Sequence, residues 1–174
     1  MRVLSVLLLS MILTACAPET GLPLPGSGLS AAQRLELRFD GAEVDVSDLQ
    51  TQTIGQFIQF TDVDQAVSRA ATRTMSWQAG EREAIVKLVV TRIEISSPNR
   101  PTLPGALSLM EGSVTLTDAA TGAALGQTVL VRVNGEGWRI DGLTGAALER
   151  ERRLELTRLA FQFTAVARRA LLGG

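Results

Sequence analysis

Few residue types in this 174-residue chain could support acid–base, nucleophilic or metal chemistry, because it has no histidine and a single cysteine, Cys16. It therefore has no imidazole base, no Ser–His or Cys–His pair, no internal disulfide and no histidine or multi-cysteine zinc site. We expect a protein that is not an enzyme, with no catalytic residue, no metal ligand and no cofactor. The lone Cys16 then needs another explanation.

Paired carboxylates are the remaining route to catalysis, because two carboxyl groups suffice for glycoside hydrolysis. The candidates are the pairs Asp62/Asp64 and Glu81/Glu83. The first pair precedes a predicted helix, whose N-terminus favours negative charge in any case, and the second lies in a predicted turn. The four aspartates between positions 45 and 64 lack the spacing of a calcium loop. We therefore expect structural roles for these groups.

The N-terminus carries the most specific motif. Met1-Arg2 gives a positive start, and Val3–Leu13 is an apolar run of signal-peptide length. This run is shorter than the ~20 residues that span a bilayer. The next residues, Leu13-Thr14-Ala15-Cys16, resemble the lipobox of bacterial lipoproteins. The resemblance implies cleavage before Cys16, which would carry palmitate-like acyl chains as a membrane anchor. An ordinary signal peptide with a chance cysteine is the alternative.

The resemblance also implies a domain organisation and a location. Residues 1–15 are the predicted signal peptide, 16–30 the lipidated cysteine with a Pro- and Gly-rich tether, and 31–174 a single domain. Ala17, where the enterobacterial sorting rule would place Asp to retain a lipoprotein in the inner membrane, resembles an outer-membrane address. We expect the protein in the cell envelope, anchored on the periplasmic face of the outer membrane.

Hydrophobic periodicity predicts an α+β fold: a two-layer sandwich whose antiparallel or mixed sheet of 4–5 strands carries two helices on one face, in the order β(β)-α-β-β-β-α. The expected elements are a strand at Arg34–Val46 with Leu35, Leu37 and Phe39 on one face, a helix at Asp62–Gln78 capped by Thr61, strands at Ala84–Ile95, Ala106–Asp118 and Leu125–Asn134, and a helix at Ala146–Leu172. Asp40-Gly41 is typical of a hairpin turn, with a bulge in one long strand as the alternative.

Three residues are candidate partner contacts. Leu154 and Phe161 lie nearly opposite the main apolar stripe of the second helix, so they are either exposed for a partner or covered by the 47–60 segment. Trp138, in a Gly-rich loop, is either an aromatic anchor for a partner or part of the core, and the core is favoured. The six arginines of the second helix could attract anionic lipid headgroups or an acidic partner, or form an ordinary solvated face.

The plan of lipobox, tether and α+β domain ending in a long helix resembles small envelope lipoproteins that act as auxiliaries to transport or assembly machines. It implies a non-enzymatic binding or scaffold accessory with a protein partner in the envelope. A carrier of a lipid or other hydrophobic ligand is the alternative, and a carboxylate-dependent cell-wall hydrolase is the least favoured. A net charge of −1 and seven Phe and Trp residues give no indication of nucleic-acid binding.

Overall fold

The computed structural model describes residues 26–49, 58–76, 80–95, 108–135 and 145–172. Within these ranges the chain order is α1-β1-α2-β2-β3-β4-α3, which confirms the predicted α+β class. The elements are α1 (Ala31–Leu35), β1 (Leu37–Asp45), α2 (Phe60–Thr74), β2 (Arg82–Glu94), β3 (Leu109–Asp118), β4 (Val129–Asn134) and α3 (Gly145–Leu172). Over the same ranges, no helix combines the length and apolar character needed to cross a bilayer.

The four strands form one mixed sheet in the order β1-β2-β3-β4. Strand β1 pairs with β2 in parallel, whereas β2–β3 and β3–β4 are antiparallel. Parallel neighbours cannot be joined by a tight turn, so the chain crosses between β1 and β2 through α2. The mixed sheet of four strands agrees with the prediction.

The hairpin predicted at Asp40-Gly41 is wrong, and the bulge alternative is correct. β1 continues through both residues, and its register with β2 shifts between Phe39 and Gly41. Because β2 offers partners on both sides of Asp40, the strand accommodates one extra residue without reversing.

Two helix starts also differ from the sequence prediction. Leu35, expected on the inner face of a strand, lies exposed in α1, which is nucleated by a capping box between Ser30 and Gln33. Helix α2 begins two residues earlier than expected, with Gln59 in place of Thr61 as N-cap. The Asp62 carboxylate accepts a hydrogen bond from the Gln59 backbone N–H at 2.9 Å, so Asp62 occupies the position predicted for Asp64.

Both long helices cover the same face of the sheet, as predicted. α2 packs on β1, α3 packs on β3 and β4, and the two helices pack against each other. The predicted stripe of α3 is confirmed: Val166 is partly buried, and the fully buried members are Leu156, Leu159, Ala160, Phe163, Ala167, Ala170 and Leu171.

Phe163 of α3 packs close to Gly112 of β3. A Cβ added to Gly112 would lie 3.0 Å from the Phe163 Cζ atom and 2.0 Å from the Val89 carbonyl oxygen. Gly112 lies beside the bulge where the β2–β3 register shifts between Val90 and Arg92. Because residue 112 has no side chain, the bulge of β2 and the Phe163 ring can both lie against β3.

Asp118 organises the turn that follows β3. Its carboxylate accepts hydrogen bonds from the Arg82 side chain at 2.8 Å and from the backbone N–H and hydroxyl of Thr121, each at 2.9 Å. The Arg82 contact, helped by those of Thr121, lowers the pKa of Asp118 to about 2. Gly122 completes the turn with a φ of 70°, a conformation that residues with a side chain rarely adopt.

We predict that Gly112→Ala lowers the free energy of unfolding by roughly 1–3 kcal/mol, because the new methyl group forces a shift in the β2 backbone or in the Phe163 ring. Gly41→Ala is the matched control, since a Cβ there meets nothing within 4 Å. Urea unfolding followed by circular dichroism measures both. Equal stability of the two variants would contradict the packing described at Gly112.

We predict that Asp118→Asn removes a pH-dependent part of the stability. Because the folded pKa lies below the ordinary value of 3.8, the ionised carboxylate stabilises the fold above about pH 4, and this contribution is lost as the pH falls toward 2. The difference in unfolding free energy between wild type and Asp118→Asn should therefore shrink between pH 4 and 2. A difference that stays constant over this range would contradict the assignment.

Candidate functional site

Two of the predicted functional residues lie outside the described part of the chain. These are Cys16, the expected lipid attachment point, and Trp138, the possible aromatic anchor. The predicted signal peptide, residues 1–15, and most of the tether also lie outside it. The assignments for these residues remain predictions from the sequence.

The structure gives different environments to the other two candidates. Phe161 is partly buried against the core, and the Arg73 guanidinium lies 5.8 Å from the centre of its ring. Leu154 remains 41% exposed on α3. At the two ends of the segment expected to cover them, Leu49 and Ile58 are buried in the core, and residues 50–57 lie outside the description. Phe161 therefore contributes mainly to helix packing, while Leu154 is available on the surface.

One carboxylate of each pair considered for catalysis makes structural contacts. Asp62 caps α2 and lies 3.4 Å from the Arg153 guanidinium on α3, which links the first turn of α2 to α3. Glu83 pairs with Arg38 across the β1–β2 ladder. Within the ranges given above, no three acidic or cysteine side chains converge as a potential metal-binding group.

The six arginines of α3 fall into two groups along the helix. Arg153 pairs with Glu149 at 3.0 Å, as the helical spacing predicts, and Arg158 lies 3.5 Å from Glu155. Arg168 and Arg169, in the last turns, are exposed and have no partner among the described residues. The C-terminal end of α3 therefore carries two positive charges that no described residue compensates.

The N-terminal segment of the domain binds this same end of α3. The Ser27 backbone N–H donates to the Ala170 carbonyl at 3.1 Å, and the Ser27 hydroxyl donates to the Leu171 carbonyl at 2.8 Å. The Arg34 guanidinium donates to the Leu172 carbonyl. Carbonyl groups in the last turn of a helix have no intrahelical donors, so these contacts act as its cap.

Ser27 is also tied to the sheet layer, because its carbonyl accepts a hydrogen bond from the Gln127 backbone N–H at 2.8 Å. Ser27 and Leu29 are both buried. The folded part of the chain therefore includes residues that the sequence prediction assigned to the tether. Pro and Gly content alone did not distinguish a free linker from a segment that packs along a helix end.

An open groove of 520 Å³ lies between the N-terminal segment and α3. Its lining, as far as the structure describes it, includes Arg34 and Arg169 and no acidic side chain. The Arg34 side chain is held on the wall by hydrogen bonds from its guanidinium to the Leu29 and Leu172 carbonyls. The remaining lining residues are Gly26, Ser27, Gly28, Leu29, Ala170 and Leu171.

Glu155 is a buried acidic residue that the sequence analysis did not single out. It is only 3% exposed; one carboxylate oxygen lies 3.5 Å from Arg158, and the other has no hydrogen-bond partner in the described part of the chain. A Cβ at position 135 would lie 2.0 Å from that second oxygen. The Glu155 carboxylate can therefore take this position only because residue 135 is a glycine. The i, i+4 spacing from Glu155 to Leu159 and Phe163 was the available signal that this glutamate lies on the buried stripe.

Comparisons with known proteins do not assign a family. No protein-family model matches the chain, and neither does any curated protein. A PelC dodecamer structure from Paraburkholderia phytofirmans matches with 14% identity and a TM-score of 0.42, over 85% of this chain and 93% of that one. Protein XCC0632 from Xanthomonas campestris, of the DUF330 family, matches with 14% identity and a TM-score of 0.40, over 75% and 82%.

A candidate lipoprotein from Caulobacter crescentus CB15 also matches, with 14% identity and a TM-score of 0.37, over 77% of this chain and 85% of that one. At such identities and TM-scores, none of these structures assigns a function to the chain.

We predict that Ser27→Ala lowers the free energy of unfolding by about 1 kcal/mol, because it leaves the buried Leu171 carbonyl without its side-chain donor. Ser68→Ala is a suitable control: Ser68 lies on α2, and alanine is favoured within helices. Thermal and urea unfolding of both variants test this. If Ser27→Ala is as stable as the control, Ser27 does not cap α3.

Proposed function

We propose that this protein is an envelope lipoprotein, anchored through acyl chains on Cys16 at the periplasmic face of the outer membrane. In this proposal it acts without catalysis, as a binding or scaffold accessory to a transport or assembly complex. The acyl anchor rests on the lipobox resemblance, and two or more acyl chains suffice for stable attachment to a bilayer.

The observation that carries the proposal is the short distance along the chain between Cys16 and Ser27, a described residue that is held in the fold. Ser27 is held to the end of α3 by two hydrogen bonds and follows Cys16 by eleven residues. Eleven residues span at most about 40 Å when extended, and about 20 Å on average as a coil. Anchoring would thus keep the domain beside the membrane and raise its local concentration for partners there.

The surface available for a partner lies at the other end of the helical layer. Leu154 on α3 is 41% exposed and Phe60, the first residue of α2, is 42% exposed. The Asp62–Arg153 contact brings the first turn of α2 next to this part of α3. Sixteen residues of helix separate Leu154 from Ala170, a distance of about 24 Å. The apolar contact residues would therefore lie at a distance from the anchored end.

The alternative of a hydrophobic-ligand carrier has weaker support. The groove beside Ser27 exceeds the ~300 Å³ of a small-ligand pocket, but it is open and lined by Gly, Ser and Arg as well as by leucine side chains. Such a lining suits a polar headgroup better than an acyl chain. The hydrolase alternative has less support, because Asp62 and Glu83 are engaged in the contacts described above.

Site-specific photocrosslinking in cells tests the proposal. A photoreactive residue replaces Leu154 in one variant and Leu130 in another; Leu130 is 74% exposed on the opposite, open face of the sheet. We expect position 154, and not position 130, to crosslink to one envelope protein in stoichiometric amounts. Adding Cys16→Ser should release the protein from the membrane fraction and reduce this crosslink at least tenfold, because the local concentration falls.

The results separate the two parts of the proposal. If Cys16→Ser still fractionates with membranes, lipid anchoring through this residue is wrong. If positions 154 and 130 crosslink to the same mixture of proteins, or to none, the helical layer is not the binding surface. Recovery of lipid in place of a protein from position 154 would favour the carrier alternative.

A further inference from the structure

We propose that the groove between the N-terminal segment and the C-terminal end of α3 binds the phosphate group of an anionic phospholipid headgroup. The groove is lined by Arg34 and Arg169 and has a volume of 520 Å³. This inference goes beyond the proposed accessory function, and one of its supports, the closeness to the membrane, rests on that function. The binding chemistry itself does not require the acyl anchor.

Arg34 supplies a guanidinium that is already positioned. It donates to the Leu29 carbonyl through Nε at 3.1 Å and to the Leu172 carbonyl through Nη1. A guanidinium has five N–H donors, so those not used in these two bonds remain for a ligand. A side chain held in place in this way loses little conformational freedom when it binds a phosphate.

Arg169 supplies the second positive charge. It is exposed in the last turn of α3, lines the groove, and has no partner among the described residues. An arginine on a groove wall can form paired hydrogen bonds to a phosphate. Arg153 and Arg158 of the same helix differ, because nearby glutamates already compensate their charge.

The local electrostatics favour an anion here despite the helix C-terminus. The end of a helix carries partial negative charge on its free carbonyl groups, which would repel a phosphate. In this structure the Ala170, Leu171 and Leu172 carbonyls each accept a hydrogen bond from Ser27 or Arg34. Among the described residues that line the groove none is acidic, and the two guanidinium groups are the charged groups of that lining.

The closeness of the groove to the proposed membrane anchor favours a lipid as the source of the phosphate. Ser27 forms part of its wall and lies eleven residues from the proposed anchor at Cys16. The groove is therefore within about 40 Å of the bilayer at full extension and closer on average. Negative headgroups at a membrane surface attract nearby arginine side chains, and this attraction adds to specific binding.

A titration with soluble short-chain lipids tests the inference. The full chain carrying Cys16→Ser, in non-ionic detergent, is titrated with dihexanoyl-phosphatidylglycerol, with dihexanoyl-phosphatidylcholine and with inorganic phosphate, by calorimetry and by NMR of the arginine Nε–H groups. We expect saturable binding of the phosphatidylglycerol with shifts at Arg34 and Arg169. Binding of phosphatidylcholine and of inorganic phosphate should be at least tenfold weaker.

Neighbouring arginines provide a matched pair of variants. Arg169→Gln should weaken phosphatidylglycerol binding about tenfold, the effect of losing one charge-assisted hydrogen bond. Arg168→Gln removes the same charge from the same helical turn but lies outside the groove lining, and should change affinity less than twofold. Arg169→Lys, which keeps the charge without the planar donor pair, should give an intermediate loss. Unfolding midpoints verify that all three variants are folded.

Three outcomes would overturn the inference. Equal weakening by Arg168→Gln and Arg169→Gln would indicate diffuse attraction to a basic surface. Inorganic phosphate binding as tightly as phosphatidylglycerol would assign the groove to a free anion. Absence of saturable binding would exclude the site altogether. Cys16 is replaced in every titration, so a negative binding result would not contradict the anchoring proposal. Membrane fractionation tests that proposal separately.

Discussion

The packing of α3 across β3 and β4 is the constraint on which the remaining structure depends. Its Phe163 ring lies against Gly112, where a side chain would collide with both the ring and the Val89 carbonyl. A side chain at position 112 would therefore disturb the packing of α3 on the sheet. With α3 in place beside β3 and β4, α2 covers β1 and packs along α3, so one helical layer closes the core. A loss of fit at Gly112 would therefore affect both layers.

The length of α3 then gives the domain two chemically different ends. At its C-terminal end, unsatisfied carbonyl groups are capped by Ser27 and Arg34, which fixes the N-terminal segment there and leaves Arg169 beside it. Toward the other end, Leu154 and Phe60 are exposed where Arg153 meets Asp62. The end of α3 that is proposed to face the membrane thus carries positive charge, and the distant part of the same helix carries exposed apolar side chains.

The buried Glu155 shows that part of α3 is not optimised for stability alone. A carboxylate with one unpartnered oxygen is costly in a low-dielectric interior, and an apolar side chain of similar size is often neutral or stabilising at such a site. Gly135 approaches so closely that its lack of a side chain is required by the glutamate. The two positions are thus coupled, and a change in either one alters the fit of α3 against the end of β4.

The sequence by itself determined the fold class, the approximate place of most of the elements and the buried stripe of α3, because these follow from local hydrophobic periodicity. It also supplied the lipobox resemblance at Cys16, which no contact of the described residues reveals. The tertiary structure decided what depends on distant partners. Asp40 lies in a bulge because β2 pairs on both sides of it, and Ser27 is buried because the end of α3 needs donors. Phe161 is partly buried, with Arg73 of α2 over its ring, whereas Leu154 stays exposed on the same helix. Local patterns cannot determine such contacts, since each joins residues far apart in the chain.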